Sequence, residues 1–347
     1  MTPQFNPIHL QQFRHLLETP CTVAVISHVG PDGDAVGSTQ AMRMVLEQQG
    51  HNVTVLYPTA IPEGFRFTLH NTQAIIGKQQ PQEAEQALMQ ADVILCLDFN
   101  TPQRVDLLAS ALIASPANKV LIDHHLYPNN FASLIFSYSE ISSTCLLLYH
   151  LFAAMGWQKY IHRDCAEAIY LGMMTDTGGF SYNSEDPDIY TALSDLLQRG
   201  IRKDTVTAQV MRNYTVDKIR LNAHAVLNNM KVIPNYHTAI LTLTHKEKKE
   251  FNYKVGDTEG LVNVPLEAKE IVFSIFIYEV EDYCKISLRS KGNFASNVFA
   301  QTFFNGGGHL NASGGEVRAS IEETYKRVLE ALEQMHPTQD DLPNYDS

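Results

Sequence analysis

One histidine and two carboxylates lie within seven residues early in the chain: His28, Asp32 and Asp34. The apolar run 22–27 before them predicts a β-strand, and residues 34–49 predict a helix that stops at a glycine. A strand end fixes the first side chain, and the turn that follows brings the next two toward it. Imidazole and carboxylate groups gathered in this way are typical of a metal site. The segment therefore predicts metal ligands at a strand-to-helix turn.

Three further acid or histidine clusters follow, and each stands where an apolar strand or helix ends. Taken singly, each has a simpler interpretation as a cap, an Asx turn or a loop. Their joint occurrence favours one site, because ligands gather at the carboxyl ends of the strands in a parallel sheet. The clusters are Asp98 after 93–97, Asp123-His124-His125 after 119–122, and Asp176 after 163–174.

Histidine and carboxylate ligands without cysteine suit a hard or borderline divalent ion. Manganese is the expected ion, with magnesium and cobalt left open. Six donor side chains exceed what one open site needs, so two ions are predicted, about 3.5–4 Å apart. Such a pair can hold a bridging hydroxide for in-line attack on phosphorus. The six candidate ligands are His28, Asp32, Asp34, Asp98, His124 and Asp176.

The composition is that of an ordinary globular enzyme. The chain has 347 residues, of which 44% are hydrophobic and 18% charged, which is enough for two domains with buried cores. The formal net charge of −12 disfavours long nucleic acid but is compatible with a small anionic substrate. Five cysteines without a C-x-x-C pair and an N-terminus without signal-peptide features predict a cytoplasmic protein. No apolar run reaches the roughly 20 residues of a membrane span.

Alternating strands and helices in the N-terminal part predict an α/β fold. The strands are continuous apolar runs, as expected for a parallel sheet covered on both faces. A helical stretch follows, and then a smaller α/β domain. The predicted strands are 22–27, 52–57, 93–97, 119–122, 237–244, 271–278 and 283–290. The predicted helices are 34–49, 82–90, 146–155, 163–174, 188–198, 215–230, 294–304 and 321–335.

The four clusters, in this order, resemble the DHH phosphoesterase family, whose namesake motif is matched by Asp123-His124-His125. The run Gly306-Gly307-Gly308-His309 resembles the companion DHHA1 domain of that family. The resemblance covers nearly the whole chain. The two-domain layout is similar to the bacterial bifunctional oligoribonuclease and pAp phosphatase (nanoRNase) group, whose members are often described as exopolyphosphatase-related.

The resemblance implies two metal ions that share one carboxylate. It also implies that Asp123 orients His124 through the other ring nitrogen of that histidine. His125 would point at the scissile phosphate, where it stabilises charge or protonates the leaving oxygen. The implied ligands are His28 and Asp32 for one ion, Asp34, His124 and Asp176 for the other, and Asp98 as the bridge.

The DHHA1-like part is expected to bind substrate. Glycines 306–308 let the backbone approach a ligand closely, and their N–H groups suit an anion. The resemblance implies that His309 and Arg289 hold the phosphate or nucleotide of the substrate. Two simpler interpretations stay open: Arg289 as a solvated strand residue, and the three glycines as a flexible loop.

The resemblance also organises the chain into four segments. Residues 1–200 are predicted to form the DHH catalytic metal-binding domain and 201–232 a helical linker. Residues 233–337 are predicted to form the DHHA1 substrate-binding domain, and 338–347 a polar tail. The active site is expected in the cleft between the two domains.

The predicted function is a two-metal phosphoesterase that hydrolyses short nucleotides, namely nanoRNA oligonucleotides or 3′-phosphoadenosine 5′-phosphate. Long duplex nucleic acid and membranes are not expected as partners, and whether the protein is a homodimer stays open. The alternatives are a cyclic or linear dinucleotide phosphodiesterase, a pyrophosphatase or exopolyphosphatase, and a non-catalytic nucleotide sensor. A long-strand exonuclease of the RecJ type is disfavoured by the lack of a basic stripe.

One departure from the family pattern concerns the wall of the pocket. Asp98 is followed by Phe99-Asn100-Thr101, where relatives often carry a second polar or acidic residue soon after the aspartate. The change leaves the ligand itself intact. It predicts an altered pocket wall, and with it an effect on substrate choice.

Overall fold

The computed structural model describes residues 2–70, 72–211 and 214–341. The chain divides into two compact units, Met1–Asn213 and Tyr214–Ser347. Most of the predicted polar tail, from residue 342 onward, lies outside the described residues. Within the described ranges, every helix is too short or too polar to span a bilayer.

The first unit is built on six strands that form one parallel sheet. The strands are β1 (Thr22–Ile26), β2 (Asn52–Tyr57), β3 (Ile75–Ile76), β4 (Val93–Leu97), β5 (Asn118–Asp123) and β6 (Leu134–Ser137). Their order in the sheet is β3-β2-β1-β4-β5-β6. The predicted α/β fold with a parallel sheet is confirmed.

Helices cover both faces of this sheet. Successive residues of β1 alternate between two apolar cores, since the side chains of a strand point to opposite faces in turn. Val23 and Val25 lie in one core, whereas Ala24 and Ile26 lie in the other. Burial on both faces explains why these strands are continuous apolar runs. The helices are α1 (Pro7–Leu16), α2 (Gly33–Glu47), α3 (Pro81–Gln90), α4 (Ala109–Ala114), α5 (Thr144–Met155), α6 (Arg163–Asp176), α7 (Pro187–Gln198) and α8 (Lys203–Met211), with 3-10 turns at Glu63–Leu69, Pro102–Leu108 and Gln158–Tyr160.

The order of the strands reverses between β1 and β4. The chain first adds β2 and β3 on one side of β1 and then crosses to the other side with β4. Ligand sites in such sheets lie where the order reverses, beyond the carboxyl ends of the strands. His28 follows β1 and Asp98 follows β4, so both residues lie at the edge of the sheet where the strand order reverses.

Helices α2 and α6 pack closely against each other, and glycines make this possible. A Cβ atom at Gly37 would overlap the carbonyl oxygen of Ala168. A Cβ atom at Gly172 would overlap Oδ1 of Asp34 and Sγ of Cys145. Gly172 therefore leaves the space that the Asp34 carboxylate occupies.

The second unit has its own sheet, in which β8 and β9 are parallel and the other neighbours are antiparallel. The strands are β7 (Lys231–Ile233), β8 (Thr238–Leu243), β9 (Phe273–Val280), β10 (Tyr283–Ser290), β11 (Gly307–His309) and β12 (Ala312–Val317), in the order β11-β12-β10-β9-β8-β7. Its helices are α9 (Val216–His224), α10 (His245–Glu250), α11 (Ser296–Phe303) and α12 (Ile321–Gln334), with a π-helical turn at Ala225–Asn229 and 3-10 turns at Pro234–Tyr236, Leu261–Glu267 and Gln339–Asp341. Helices α11 and α12 pack on one face of the sheet, where Phe299 and Val328 join its apolar core.

Several helices and strands of the structure were not predicted from the sequence. Strand β6 has four residues and β12 carries two adjacent glycines, so neither shows a clear strand pattern. Helix α1 starts at an Asn-Pro capping signal but has a single fully buried residue, Phe13. The helix predicted at 215–230 is present over residues 216–229, but it is α-helical only to His224 and continues as a π-helical turn.

Replacing Gly172 by alanine should lower the free energy of unfolding by about 1–3 kcal/mol, because the methyl group overlaps Asp34 and Cys145. Urea denaturation of the metal-free protein measures the loss. In a Cys145→Ala background the loss should be smaller, since one of the two overlapping groups is gone. An unchanged denaturation midpoint for Gly172→Ala would show that residue 172 does not lie in close contact with Asp34 and Cys145.

Candidate metal centre

The six predicted ligands converge at the carboxyl edge of the first sheet. Their donor atoms form overlapping groups, within each of which the atoms lie no more than 4.8 Å apart. Asp98 and His124 each belong to two of the groups, which links the three groups into one cluster. The groups are His28 with Asp32 and Asp98, Asp34 with His124 and Asp176, and Asp98 with His124 and His125.

His28 is a buried histidine with one ring nitrogen directed at the carboxylates. Its Nδ1 lies 3.0 Å from the carbonyl oxygen of Val29, which can only accept, so Nδ1 carries the proton. Its Nε2 is buried and has no hydrogen-bond partner among the described residues. That nitrogen lies 3.5 Å from Oδ2 of Asp98 and 3.8 Å from Oδ2 of Asp32. A lone pair held in this way suits a metal ion.

Asp32 is anchored through one oxygen only. It is the N-cap of α2, and its Oδ1 accepts hydrogen bonds from the N–H groups of Asp34 (3.1 Å) and Ala35 (3.0 Å). Its other oxygen, Oδ2, is the one near His28. The helix start therefore orients Asp32 as a ligand with one oxygen directed into the site.

The N-terminus of α5 holds the two most buried carboxylates among the six candidate ligands, and the sequence reasoning missed it. The N–H of Thr144 donates to Oδ2 of Asp34 (2.6 Å), and the N–H of Cys145 donates to Oδ1 (2.9 Å). The Thr144 hydroxyl donates to Oδ1 of Asp98 (3.0 Å). A helix N-terminus favours ionised carboxylates because its N–H groups carry partial positive charge. The available signal was a pair of serines before an apolar helix, since serine is a favoured N-cap.

His124 presents its Nε2 to three carboxylates. Its Nδ1 donates to the carbonyl oxygen of Ile141 (3.1 Å), which fixes the tautomer. Its Nε2 lies 3.2 Å from Oδ2 of Asp176, 3.6 Å from Oδ1 of Asp98 and 3.9 Å from Oδ2 of Asp34. His124 and His28 therefore share one arrangement: a backbone carbonyl holds one nitrogen, and the other faces acidic oxygens.

The prediction that Asp123 orients His124 is wrong. Asp123 Oδ1 instead accepts a 2.7 Å hydrogen bond from Nδ1 of His125, while Nδ1 of His124 is bonded to Ile141. The hydrogen-bond partners explain the difference, because a backbone carbonyl already occupies Nδ1 of His124, and the carboxylate of Asp123 meets the ring two positions along the chain. Asp123 is fully buried and sets the orientation of the His125 ring.

Burial, followed by the crowding of carboxylates, sets the electrostatics of the site. Burial raises the pKa of the Asp98 carboxyl well above its ordinary value, and the charges of Asp34 and Asp32 raise it further. Burial likewise raises the pKa of Asp176, together with the charge of Asp34. Burial alone would lower the pKa of His124, but its hydrogen bond to Asp176 and the charges of Asp98 and Asp34 raise it well above its usual range. The carboxylates of the site therefore outnumber the cationic groups that the chain itself places among them.

The backbone at Asp98 is unusual as well. Its φ angle is +64°, a left-handed conformation that few residues other than glycine adopt. Its N–H donates to the carbonyl oxygen of Ile122 on the neighbouring strand (3.1 Å), which helps to hold this conformation. Backbone strain of this kind persists where the surroundings impose it, and such places are often functional sites.

The donor set fits divalent cations. Every candidate ligand offers an imidazole nitrogen or a carboxylate oxygen, which suits hard or borderline ions such as Mn²⁺ and Mg²⁺. The buried Nε2 of His28 has the lone pair that such an ion needs. Bound cations would also compensate the negative charge of the crowded carboxylates.

In the second unit, Arg289 and His309 share one face of the sheet. Both residues stand in register with Ala312 of β12, one on each side of it, so the three side chains point the same way. Over β8 and β9 the same face is covered by apolar residues such as Leu221 and Leu261. Over β10 to β12 its residues are half-buried or exposed. Two cationic or polar groups thus stand on an accessible sheet surface.

The three glycines before His309 differ in their surroundings. A Cβ atom at Gly306 would overlap the carbonyl oxygen of Gly314, and one at Gly308 would overlap that of Ala312. Packing against β12 therefore accounts for these two glycines. At Gly307 the nearest heavy atom to a Cβ would be Nε2 of Gln301, at 3.9 Å. Neighbouring atoms do not require a glycine there, so Gly307 is the position that best fits close approach by a ligand.

Comparison with known proteins identifies similar chains. Residues 22–173 match the DHH family, N-terminal domain, and residues 234–336 match the DHHA1 domain. The crystal structure of an exopolyphosphatase-related protein from Bacteroides fragilis superposes with a TM-score of 0.94 at 42% sequence identity, over 96% of this chain and 98% of that chain.

Two further proteins are more distant. The bifunctional oligoribonuclease and PAP phosphatase NrnA of Thermus thermophilus is 24% identical over 318 residues, which are 89% of this chain and 89% of that protein. The crystal structure of RecJ in complex with Mn²⁺, from the same organism, has a TM-score of 0.56 and 13% identity, over 97% of this chain and 57% of RecJ. This second likeness is one of fold.

Replacing Thr144 by valine should weaken Mn²⁺ binding about 10-fold to 100-fold, since Asp98 loses the hydroxyl that orients it. Thr144→Ser keeps the hydroxyl and should bind Mn²⁺ like the wild type. Calorimetric titration of metal-free protein gives both dissociation constants, and circular dichroism checks that both variants fold. Equal Mn²⁺ affinities for the valine and serine variants would show that the hydrogen bond from Thr144 to Asp98 does not affect metal binding.

The stability of the metal-free protein should fall as the pH rises. Asp98 and Asp176 have folded-state pKa values above the ordinary carboxyl value of about 4, so the folded state binds more protons than the unfolded state, and stability is lost as the pH rises through the raised values. The raised pKa of His124 acts in the same direction above about pH 6.5. Mn²⁺ prefers deprotonated ligands, so it should raise Tm more at about pH 8 than at about pH 5. An equal gain in Tm at both pH values would show that Mn²⁺ does not bind to Asp98, Asp176 and His124.

Proposed function

We propose that this protein, which belongs to the DHH family and carries a DHHA1 domain, is a two-metal phosphoesterase of short nucleotides. The candidate substrates are RNAs of a few nucleotides and 3′-phosphoadenosine 5′-phosphate. The observation that carries the proposal is the convergence of six nitrogen and oxygen donor side chains into overlapping groups beside His125. A cytoplasmic location is part of the proposal.

The proposal assigns one ion to His28 and Asp32, the other to Asp34, His124 and Asp176, and the bridging position to Asp98. Manganese is the proposed ion. Bound divalent ions lower the pKa of a coordinated water and neutralise charge that develops on a phosphate. The chain contributes the geometry: strand ends, the start of α2 and the end of α6 hold these side chains in place before substrate arrives.

His125 is proposed to act on the leaving oxygen. Its Nδ1 donates to the buried Asp123 carboxylate (2.7 Å), which fixes the direction of the ring. Nε2 then becomes the nitrogen that can give a proton to the oxygen of the leaving nucleotide. Asp123 is therefore a positioning residue in this scheme, and His125 is a catalytic residue.

The open face of the second unit is proposed to bind the rest of the substrate. Arg289 can form charge-assisted hydrogen bonds to a phosphate, and His309 stands on the same face. Gly307 has no side chain, so a ligand could approach its backbone closely. Recognition of a terminal phosphate or nucleotide would restrict the enzyme to short substrates.

Hydrolysis of a matched substrate panel tests the proposal. The panel holds a 5′-phosphorylated RNA dinucleotide, a long RNA, 3′-phosphoadenosine 5′-phosphate, cyclic di-AMP and pyrophosphate, each with Mn²⁺. The short nucleotides should be cleaved. Asp98→Asn should lower the rate more than about 100-fold, because loss of a ligand costs more than loss of a group that orients one. Asp204→Asn is the control, since the Asp204 side chain is 98% exposed.

Other outcomes select other functions. Activity on pyrophosphate alone would make the protein a pyrophosphatase, and activity on long RNA would make it an exonuclease of long strands. Cleavage of cyclic di-AMP alone would make it a cyclic-dinucleotide phosphodiesterase. Bound Mn²⁺ without hydrolysis of any compound would favour a nucleotide sensor.

A further inference from the structure

A polar pocket of about 770 Å³ opens beside His125 in the first unit. Its wall comes from the loop after the Asp-His-His motif, from the segment that begins α1, and from residues around β6. The volume lies within the roughly 300–1,000 Å³ of typical small-molecule sites. Among the described residues that line it, none is lysine or arginine, and Glu140 is acidic. The pocket therefore suits a neutral group with hydrogen-bonding edges better than a phosphate.

Tyr127 lines this pocket with a highly exposed aromatic side chain. The residue is 86% exposed, and its φ angle is +57°, in the left-handed region that tyrosine rarely adopts. A large exposed ring on a strained backbone calls for a reason beyond packing. Stacking on a nucleobase is a suitable role, since every base offers a flat face to an aromatic ring.

Asn100 holds the loop that carries Tyr127. The side-chain Nδ2 of Asn100 donates to the backbone carbonyl oxygen of Leu126 (2.7 Å). The backbone carbonyl oxygen of Asn100 accepts from the N–H of Asn129 (2.7 Å). An aspartate at this position has no proton to donate to the Leu126 carbonyl. The asparagine thus provides a specific means of fixing the Tyr127 loop.

The opposite wall of the pocket is fixed by aromatic packing. Phe5 meets the rings of Tyr138 and Phe136 edge-on, with centroid distances of 5.4 Å and 5.9 Å. The Tyr138 hydroxyl donates to the carbonyl oxygen of Gln4 (3.1 Å). These contacts tie the segment before α1 to β6 and the residue that follows it. Contacts within the protein therefore fix this wall of the pocket.

We propose that this pocket binds the nucleobase and ribose on the leaving-group side of the scissile phosphate, with Tyr127 stacked on the base. The proposal rests on the proposed function, since it takes His125 as the group that faces the leaving oxygen. His125 lines the pocket, so a nucleoside attached to that oxygen enters the pocket directly. Tyr127 is thus a specificity-determining residue for this reaction.

Kinetics with two bisphosphates test the proposal: 3′-phosphoadenosine 5′-phosphate, and its abasic analogue with the same sugar phosphates. Tyr127→Ala should raise the KM for the adenine compound about tenfold and leave that of the abasic compound unchanged, because only stacking is lost. Tyr127→Phe should keep both values. Asn100→Asp should shift the KM in the same direction as Tyr127→Ala. Ile113→Ala, at a 58% exposed residue of α4, is the control and should change nothing.

Equal KM changes for the two bisphosphates in Tyr127→Ala, or no change for either, would overturn the proposal. Binding without turnover separates this result from a failure of the proposed function. In calorimetry, adenosine 5′-monophosphate should bind the wild type about tenfold more tightly than ribose 5-phosphate, and Tyr127→Ala should remove the difference. Such a difference without hydrolysis would support the pocket and reject the phosphoesterase. Hydrolysis without it would support the phosphoesterase and reject the pocket.

Discussion

The crowding of four carboxylates at one edge of a parallel sheet is the constraint on which the rest of the structure depends. Asp34 and Asp98 are buried, and Asp32 and Asp176 stand beside them. Taking a carboxylate out of water costs several kcal/mol unless other groups compensate, and like charges add to that cost. The N-terminus of α5 offers part of the compensation through its N–H groups and one hydroxyl. Divalent cations are the natural source of the rest.

The three histidines of the site divide their roles through their hydrogen-bond partners. In His28 and His124 a backbone carbonyl oxygen accepts a hydrogen bond from Nδ1, so that Nε2 faces the carboxylates and is the nitrogen that would bind a metal ion. In His125 the partner of Nδ1 is the Asp123 carboxylate, which fixes the ring so that Nε2 is the nitrogen proposed to serve the leaving oxygen. One residue type thus supplies two kinds of chemistry within a few ångströms. The difference follows from a partner, not from the histidine itself.

The sequence was sufficient for the parallel sheet and for the convergence of the ligands, because apolar runs and strand ends are local patterns. It was insufficient where long-range partners decide. Thr144 lies 46 positions from Asp98 along the chain, and only the fold shows that its hydroxyl meets that carboxylate. The role of Asp123 was predicted wrongly because a motif gives the spacing of residues but not the hydrogen-bond partner that each side chain meets in the fold. Tyr127 drew no attention, since exposure and backbone strain are properties of the folded chain.

Anomalous diffraction from crystals grown with Mn²⁺ is the most direct test of the central claim that this carboxylate cluster is a two-metal site. The account predicts two anomalous peaks per chain, about 3.5–4 Å apart, with Asp98 between them and Nε2 of His28 and Nε2 of His124 on opposite ions. The same crystals of Asp98→Asn should lose at least one peak. A single peak, or peaks away from these side chains, would contradict the account.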